Sequence, residues 1–476
     1  MNDTLISGKE ILLAKPEEIF KIQLNNQFAV RNTTPAERRK KLDKLLKTIF
    51  KYREEIRGAL LSDLQKSPSE TDMTEIFPVT SEIRHVKSQL ALWMRDEKVP
   101  TPLTLVGSSS YIKYEPKGVV LILSPWNFPV NLTLNPLVAA VAAGNCVILK
   151  PCENSPASSA VMGRIIKEVF DSNEVALLEG GPEVAESLLK LPFNHIFFTG
   201  GPSIGKIVME AAAKNLSSVT LELGGKSPCI VDETADLKVA AARISVAKYI
   251  NSGQMCIAPD YVFVHKSKQE EFISLVISEI EGMYGPDASK AEGYSRIINK
   301  RHFNRVRSYI EDALQKGAKI EYGCKMNEED NYISPTILSS VDTSSQLMTH
   351  EIFGPVMPVF GYTSLDEVLA FINSRETPLS YYIYSKSQKN TDYILSRSKA
   401  GNGCINHCGV HFYNHWLPFG GANHSGIGRG HGHEGFKTFS NQRSILHQHI
   451  PNILDKLKPP YTGWKKKVIE FSLRYL

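Results

Sequence analysis

The 476-residue sequence lacks the features that mark membrane-spanning and secreted proteins. No apolar run reaches the ~18 residues that a bilayer-spanning helix needs. The first ten residues, MNDTLISGKE, have no basic region followed by an apolar core, so we expect no secretory signal. The seven cysteines form an odd, scattered set, which argues against disulfides and predicts a reducing compartment, the cytoplasm.

The sequence also lacks a large excess of positive or negative charge. The 55 lysines and arginines are nearly balanced by 50 aspartates and glutamates, giving a formal net charge of +5. No long basic run precedes the C-terminal tail, so we expect no nucleic-acid partner. Hydrophobic residues make up 42% of the chain, and at roughly 150 residues per domain the length predicts two or three domains.

What the sequence contains is an alternation of short apolar strands with helices. The segment 108–116 alternates like an edge strand, and from residue 118 buried strands and helices follow one another. The predicted strands are GVVLILSP, CVILK (146–150), EVALLEG, HIFFTG (195–200) and VTLELG (219–224). This order predicts βαβ crossovers in a parallel sheet with helices on both faces. After Asp232 the alternation restarts, which predicts a second α/β domain.

Glycines follow one of these strands in FFTGGPSIGKIV (197–208). Gly200, Gly201 and Gly205 flank the start of a helix near Ser203, where backbone N–H groups can bind a phosphate. The spacing does not match G-x-G-x-x-G, so a tight turn without a ligand is an equal alternative.

Three polar side chains also follow predicted strands, at the sheet edge where α/β proteins bind ligands. Lys150 and Glu153 could bind a ribose, and the Glu153 carboxylate would repel a 2′-phosphate. Asn127, in SPWNFP, can donate a hydrogen bond to a developing oxyanion. For each of them the alternative is an ordinary loop residue.

Two residues are candidates for a nucleophile and a general base. Cys256, in NSGQMCIAPD, lies in a loop after a helix, although a free cysteine is more often a small buried hydrophobe. Glu222 ends an apolar strand, where burial would raise its pKa toward that of a general base. A structural ion pair is the alternative for Glu222.

Two further groups of residues are candidates for a cofactor site and a metal site. Glu351 and Phe353, in HEIFGPVMP, could position a nicotinamide ribose and ring, or could form an ordinary loop before a strand. The spacing of Cys404, His407, Cys408 and His411 does not match a standard zinc finger, so we expect no metal.

Taken together, seven motifs resemble those of the NAD(P)-dependent aldehyde dehydrogenase superfamily in order and spacing. They are PWNFP, LKPCENSP, FTGGPSIG, LELGGKSP, NSGQMCIAPDY, EIFGPVMPV and LPFGGANHSGIG. The resemblance covers roughly residues 20–450. The short N-terminus, GQMCIAPDYV and the LPFGGANHSGIGRGHGHEGFKTFS ending are most similar to the class 3 and fatty aldehyde branch.

The resemblance implies a role for each candidate. Cys256 would be the nucleophile, Glu222 the general base, and Asn127 would form an oxyanion hole with the Cys256 N–H. The residues implied in the binding of NAD, with NADP as an alternative, are Lys150 and Glu153 at the adenosine ribose, Gly200, Gly201, Ser203 and Gly205 at the pyrophosphate, Glu351, Phe353 and Trp126 near the nicotinamide, and Leu223. The implied reaction oxidises an aromatic or medium-to-long-chain aliphatic aldehyde to the acid through a thiohemiacetal and a thioester.

The resemblance also implies the domain organisation. A Rossmann-like cofactor domain (1–107 and 117–222) and an α/β catalytic domain (223–410) are expected, with a small β element for oligomerisation (108–116 and 440–449) in a homodimer. The tail, 450–476, carries three lysines beside Trp464, and we favour packing on the partner subunit over peripheral membrane contact.

Some residues depart from the family's usual pattern, and two other functions stay open. The departures are at Met255, at His407 and at the pair Gly200–Gly201. Met255 leaves the shape of the pocket undecided, and Gly200–Gly201 leave the phosphate contacts undecided. A cysteine hydrolase could use Cys256 and Glu222 without a cofactor, which a cofactor-binding test would separate. A retired dehydrogenase with a structural or binding role is opposed by the intact Cys256, Glu222 and Asn127.

Overall fold

The computed structural model describes residues 15–475. Residues 1–14 of the predicted cofactor domain and residue 476 of the predicted tail lie outside the described residues. The α-helices in the described part are α1 (Pro16–Arg31), α2 (Pro35–Lys51), α3 (Arg53–Leu64), α4 (Pro68–Thr71), α5 (Phe77–Trp93), α6 (Pro129–Ala143), α7 (Pro156–Val169), α8 (Pro182–Leu189), α9 (Pro202–Asn215), α10 (Leu237–Tyr249), α11 (Gln269–Tyr284), α12 (Lys300–Gln315), α13 (Gln346–Thr349), α14 (Leu365–Asn373), α15 (Gln388–Arg397), α16 (Gly432–Thr438) and α17 (Trp464–Tyr475). A π-helical turn, Asp72–Ile76, joins α4 to α5.

The strands lie in three main sheets and one short hairpin. They are β1 (Glu97–Val99), β2 (Ser108–Pro116), β3 (Val119–Leu123), β4 (Cys146–Lys150), β5 (Val175–Leu177), β6 (His195–Gly200), β7 (Ser218–Leu223), β8 (Pro228–Val231), β9 (Tyr261–His265), β10 (Lys319–Tyr322), β11 (Met326–Asn327), β12 (Tyr332–Ile333), β13 (Thr336–Ser339), β14 (Val356–Tyr362), β15 (Ser380–Tyr384), β16 (Asn402–Ile405), β17 (Gly426–Ile427) and β18 (Ser440–Gln448).

The first sheet has the strand order β17-β7-β6-β3-β4-β5. Its strands are parallel except β17, which pairs antiparallel with β7. β3 and β4 are buried at every residue, as expected of strands covered by helices on both faces. The parallel α/β architecture predicted from the sequence is confirmed, and β4 and β6 have the predicted bounds. β5 is shorter than the predicted EVALLEG strand, and Gly180, with φ +139°, follows it.

The second sheet has the order β10-β13-β14-β9-β8-β15-β16. Its strands are parallel except β10, which is antiparallel to β13. The predicted second α/β sheet is therefore confirmed. Cys256 lies between α10 and β9, the helix and strand that follow β8, so the candidate nucleophile belongs to this sheet, whereas Glu222 ends β7 of the first.

The third sheet has the order β1-β2-β18, and it corrects one prediction. The segment 108–116 forms β2 with the predicted bounds, but β2 pairs with both β1 and β18 and is the central strand. Alternation of polar and apolar residues indicates that one face of a strand is in contact with water. It does not indicate whether the backbone is hydrogen-bonded to neighbouring strands on both sides. In the described part of the chain, β1 and β18 are the outer strands of this sheet, and each has one unpaired edge.

Within the described residues, no helix is both long and apolar enough to cross a membrane.

Leu60 and Leu61 provide a test of how α3 packs. Leu60 is fully buried, whereas its neighbour Leu61 is 52% exposed. Leu60→Ala would remove buried methyl groups and leave a cavity, so we expect the free energy of unfolding to fall by about 2–5 kcal/mol. Leu61→Ala should change it by about 0.5 kcal/mol. Urea unfolding followed by circular dichroism would measure both, and equal losses would contradict the packing of α3.

Candidate active site

A sharp turn between α10 and Cys256 presents the candidate nucleophile. Asn251, Ser252 and Gly253 are three consecutive residues in the left-handed region, with φ of 52°, 51° and 71°. Position 253 requires glycine, because a Cβ there would collide with the carbonyl group of Gly354. Such strained backbone persists only where the surroundings hold it, and it clusters at functional sites.

Cys256 is half-buried and lines a cavity of about 440 Å³ together with Glu222 and Leu223. This volume lies within the range of about 300–1,000 Å³ for small-molecule sites. The remaining lining is mostly apolar, and its largest members are Met73, Phe128, Leu132, Met255, Ile257, Phe412, Tyr413 and Phe419. The sequence placed the nucleophile and the base in separate motifs, and the structure brings them to one cavity.

Asn127 is tied to the cysteine loop by hydrogen bonds. Its Nδ2 donates to the Gln254 carbonyl at 3.0 Å, and its own carbonyl accepts from Asn251 Nδ2 at 2.9 Å. An amide nitrogen carries two hydrogens, so one of them is still available after the bond to Gln254. Asn127 is therefore held beside the loop of Cys256 with a donor to spare.

A buried ion pair supports the Asn127 segment from behind. Lys66 Nζ lies 2.7 Å from Glu75 Oε1, both side chains are fully buried, and Lys66 also donates to the Asn127 carbonyl at 3.3 Å. Glu75 Oε2 accepts the first N–H groups of α6, from Val130 at 3.1 Å and Asn131 at 3.0 Å.

Sequence reasoning missed this pair and the buried Glu70, which accepts the Asn251 N–H at 2.8 Å. Lys66 and Glu75 are nine residues apart, a spacing that gives no periodic signal. The motif NSGQMC contains two polar residues close to a glycine, Asn251 and Gln254. They were the only sequence signal for the buried hydrogen bonds around the cysteine loop.

The ionisable groups at the cavity are shifted toward their neutral forms. Burial raises the pKa of Glu222 to about 8, and the positive charge of Arg429 opposes this only in part. Burial, followed by the negative charges of Glu351 and Glu222, raises the pKa of the Cys256 thiol. Burial and the charge of Asp260 raise the pKa of Glu351 to about 8. A cation arriving in this cavity would reverse part of these shifts.

The predicted nicotinamide residues lie beside the cavity. The Glu351 carboxylate packs against Gly224, where a Cβ would collide with it. Phe353 has a left-handed φ of 44°, and its ring meets Trp126 edge-to-face with centroids 5.4 Å apart. Glu351 thus presents a carboxylate just after the end of β7, and Trp126, in the loop after β3, contributes an aromatic ring at the carboxyl edge of the same sheet.

The helix α9 offers a site for a pyrophosphate. Its N-cap is Gly201, which supplies no side-chain cap, and nothing lies within 4 Å of the position that a Cβ at Gly201 would take. The first N–H groups, including that of Ser203, therefore face open space. A Cβ at Gly205 would lie 2.8 Å from Leu223, so this glycine lets α9 approach the strand that carries Glu222.

Lys150 and Glu153 are joined by an ion pair at the carboxyl end of β4. Lys150 Nζ donates to Glu153 Oε2 at 2.8 Å, and Lys150 is buried while Glu153 is partly exposed. The uncapped helix, the open space at Gly201 and this polar pair all occur on the carboxyl edge of one parallel sheet. The residues present therefore fit a dinucleotide, with NAD(P) as the group they would hold.

The cysteine–histidine cluster does not form a metal centre. Cys404 Sγ lies 3.1 Å from His411 Nδ1, and Cys408 Sγ contacts the Tyr384 hydroxyl at 3.2 Å. Among residues 15–475, no group of three or more His, Cys, Asp or Glu side chains is arranged to bind a metal. His407 and Cys408 instead line the cavity of Cys256.

Comparison with known proteins agrees with this geometry. A sequence model described as the aldehyde dehydrogenase family matches residues 14–445. Aldehyde dehydrogenase family 3 member B1 of Homo sapiens is 41% identical over 425 residues, which are 89% of this chain and 90% of that protein. The 4,4′-diaponeurosporen-aldehyde dehydrogenase of Staphylococcus aureus is 42% identical over 434 residues, 91% of this chain and 94% of that one.

A solved structure shows the same fold. It is the substrate-bound state of Staphylococcus aureus AldH, with a TM-score of 0.92 and 39% sequence identity, covering 96% of this chain and 100% of that chain. The predicted resemblance, including its family 3 branch, is confirmed. This chain belongs to the aldehyde dehydrogenase family, whose members are NAD(P)-dependent oxidoreductases.

Proposed function

We propose that this protein oxidises apolar aldehydes to carboxylic acids with NAD(P), through a covalent intermediate on Cys256. The observation that carries the proposal is the shared cavity: Cys256 and Glu222 line one apolar chamber, and Asn127 is hydrogen-bonded to the loop of the thiol. The cavity thus holds a nucleophile and a base, and an oxyanion donor lies against the loop that carries the nucleophile.

In the first half of the reaction, Cys256 acts as the nucleophile. The Cys256 thiolate attacks the aldehyde carbonyl carbon, and the electron pair of the C=O bond moves to the oxygen. The free amide hydrogen of Asn127 together with the Cys256 N–H stabilises this oxyanion of the thiohemiacetal. NAD(P), when bound, supplies a hydride acceptor. Glu351, Phe353 and Trp126 are the residues that would hold the hydride-accepting end of this cofactor.

In the second half, Glu222 activates water. The water oxygen bonds to the thioester carbon as its proton passes to the Glu222 carboxylate, and the carbon–sulfur bond then breaks to return the thiolate and release the acid. Because burial raises the pKa of Glu222 to about 8, this carboxylate has the proton affinity of a general base near neutral pH.

The rim of the cavity supports an apolar substrate. Met73, Val246 and Val410 line it and are 63%, 50% and 40% exposed, so apolar surface continues from the chamber to the outside. The similar Staphylococcus aureus protein is named for a diaponeurosporen-aldehyde. We therefore propose aromatic or medium-to-long-chain aliphatic aldehydes as the substrate class.

Two broader proposals have support of their own. The unpaired edge of β18 would be covered if two copies joined there, which favours a homodimer built on β2 and β18. All the cysteines in the described residues are free thiols, which supports a reducing compartment, the cytoplasm.

Cys256→Ala should abolish reduction of NAD by hexanal while cofactor binding is retained, because the variant loses the attacking sulfur. Turnover would be measured by NADH absorbance and binding by calorimetry. Cys324→Ala, at a cysteine outside the cavity, is the matched control and should keep its activity. Activity in Cys256→Ala would refute the assignment, and a thiol-dependent hydrolysis without cofactor binding would favour the cysteine hydrolase.

Glu222→Gln should slow thioester hydrolysis by about 10²–10⁴-fold and leave one rapid equivalent of NADH per site. In the unaltered protein the hydrolysis rate should rise from pH 7 to pH 9, because the base works deprotonated and its pKa is about 8. Glu351→Gln should keep this rise, since Glu351 is not among the residues that line the cavity of Cys256 and Glu222. Stopped-flow measurements across pH give both rates, and a rise that survives in Glu222→Gln would contradict the role.

Glu153→Gln should raise kcat/KM for NADP relative to NAD, because the carboxylate beside Lys150 repels a 2′-phosphate while the neutral amide does not. The measurement is the ratio of the two kcat/KM values. The control is Glu174→Gln. The Glu174 carboxylate is paired with Lys41 and does not lie at the carboxyl end of β4. An unchanged ratio in Glu153→Gln would remove this residue from cofactor selection.

If the protein is a homodimer, light scattering should give a molecular mass twice that of one chain. Replacing Leu446 of β18, which is 50% exposed, with lysine should weaken the dimer if β18 is the contact. Leu103→Lys, at a leucine that is 78% exposed outside β2 and β18, serves as control. A monomeric wild-type protein would rule the dimer out.

A further inference from the structure

Glu222 lines a second, much smaller cavity in addition to the substrate chamber. This inner cavity has a volume of about 20 Å³ and is lined by Glu222, Glu82, Asn135 and His431 together with apolar side chains. A cavity needs about 10–15 Å³ to hold one water, so the space suits a single molecule. The Glu222 carboxylate reaches it beside Gly430, where a Cβ would lie 2.9 Å from Oε1.

The inner cavity has the polar groups that a water requires. Asn135 is buried, and its Oδ1 has no hydrogen-bond partner among the described residues, while its Nδ2 donates to Asn131 at 2.6 Å. An unsatisfied buried acceptor destabilises a fold, and a water in the cavity would give Asn135 Oδ1 its missing donor. Glu222, Glu82 and Asn135 would give that water its partners.

A chain of titratable groups continues from the inner cavity toward solvent. Glu82 Oε1 accepts the Gly432 N–H at 2.8 Å, and its Oε2 lies 2.7 Å from His415 Nδ1 and 4.0 Å from His431 Nδ1. His415 Nε2 in turn contacts Ser81 Oγ at 2.9 Å. Glu82 is almost fully buried, whereas the His415 side chain is 17% exposed.

His431 lies between this cavity and the outside. Its ring lines the inner cavity and also an outer cavity of about 500 Å³, which His415, Trp416, Trp93 and Gln89 line as well. Its φ of 67° is a conformation that a side-chain-bearing residue rarely adopts, and Phe412 packs edge-on against its ring with centroids 4.4 Å apart. The fold thus holds a histidine at the boundary of the two cavities despite backbone strain.

We propose that Glu82 and His415, with His431 packed beside them, carry to solvent the proton that Glu222 takes from the hydrolytic water. This inference rests on the proposed function of Glu222 as general base. Protonated Glu222 gives its proton to the water of the inner cavity while that water gives one to the Glu82 carboxylate, so the water is regenerated. Glu82 passes the proton to His415 Nδ1, and His415 releases one from Nε2 to the outer cavity, which leaves Glu222 ionised for the next turnover.

The charge balance of the cluster suits transient protonation. Burial raises the pKa of Glu82, but the close approach of His415 and the nearby His431 outweigh it, so the pKa lies below the usual value. Burial lowers the pKa of His431 although the Glu82 carboxylate opposes this. His85, whose ring stacks on His415 with centroids 5.0 Å apart, is the other histidine that faces the cluster.

The test follows successive turnovers at pH 9, where Glu222 is largely ionised before hexanal and NAD are mixed with the full-length protein. Glu82→Gln and His415→Gln should form and hydrolyse the first thioester at the wild-type rate, but later turnovers should be slower, on the order of tenfold. Added imidazole should restore the later turnovers, because a small base can take the proton directly. His433→Gln, at a histidine that lines only the outer cavity, is the matched control and should behave as wild type.

Each outcome bears on one of the two proposals. Two variants are used so that a folding defect in one leaves the other as the test. If Glu222→Gln traps the first thioester while both Glu82→Gln and His415→Gln turn over at the wild-type rate, the relay is wrong and the base stands. If the variants are slow already in the first turnover, or imidazole does not restore them, the cluster is structural and the relay is also wrong. If Glu222→Gln hydrolyses its thioester normally, the proposed base itself fails.

Discussion

The buried ion pair between Lys66 and Glu75 is the contact on which the geometry of the site depends. It joins three segments: the chain after α3, the π-helical turn, and the start of α6. Helix α6 has no side-chain cap of its own, and the Glu75 carboxylate takes the place of one by accepting its first N–H groups. Removing one partner of such a pair leaves an uncompensated buried charge, which typically costs about 3–5 kcal/mol.

A series of hydrogen bonds connects this ion pair with the candidate site residues. Lys66 donates to the Asn127 carbonyl, the same carbonyl accepts from Asn251, and the Asn127 amide reaches Gln254 just before the thiol. The proposed oxyanion donor, which follows a strand of the first sheet, and the loop of the proposed nucleophile are therefore fixed against each other by hydrogen bonds. Side chains held in this way lose little freedom when a substrate binds.

Much of this arrangement could be predicted from local pattern, and the rest depends on contacts between distant residues. The continuous apolar runs gave β4 and β6 their bounds, and strand ends pointed to Lys150, Gly201 and Glu222 because ligands bind at that edge. The family resemblance connected these positions with Cys256. No local pattern could pair Lys66 with Glu75, or place Glu82 behind Glu222, because these contacts exist only after the helices have packed. The central position of β2 was missed for the same reason.

The raised pKa of the Cys256 thiol has a consequence for the resting protein. Peroxides oxidise thiolates, and a cysteine kept in its protonated form forms sulfenic acid slowly. A cavity that withholds the thiolate until a cofactor cation offsets the charges of Glu351 and Glu222 would shield its nucleophile between turnovers. The same burial that raises the pKa of Glu222 would thus lengthen the working life of the sulfur under oxidative stress.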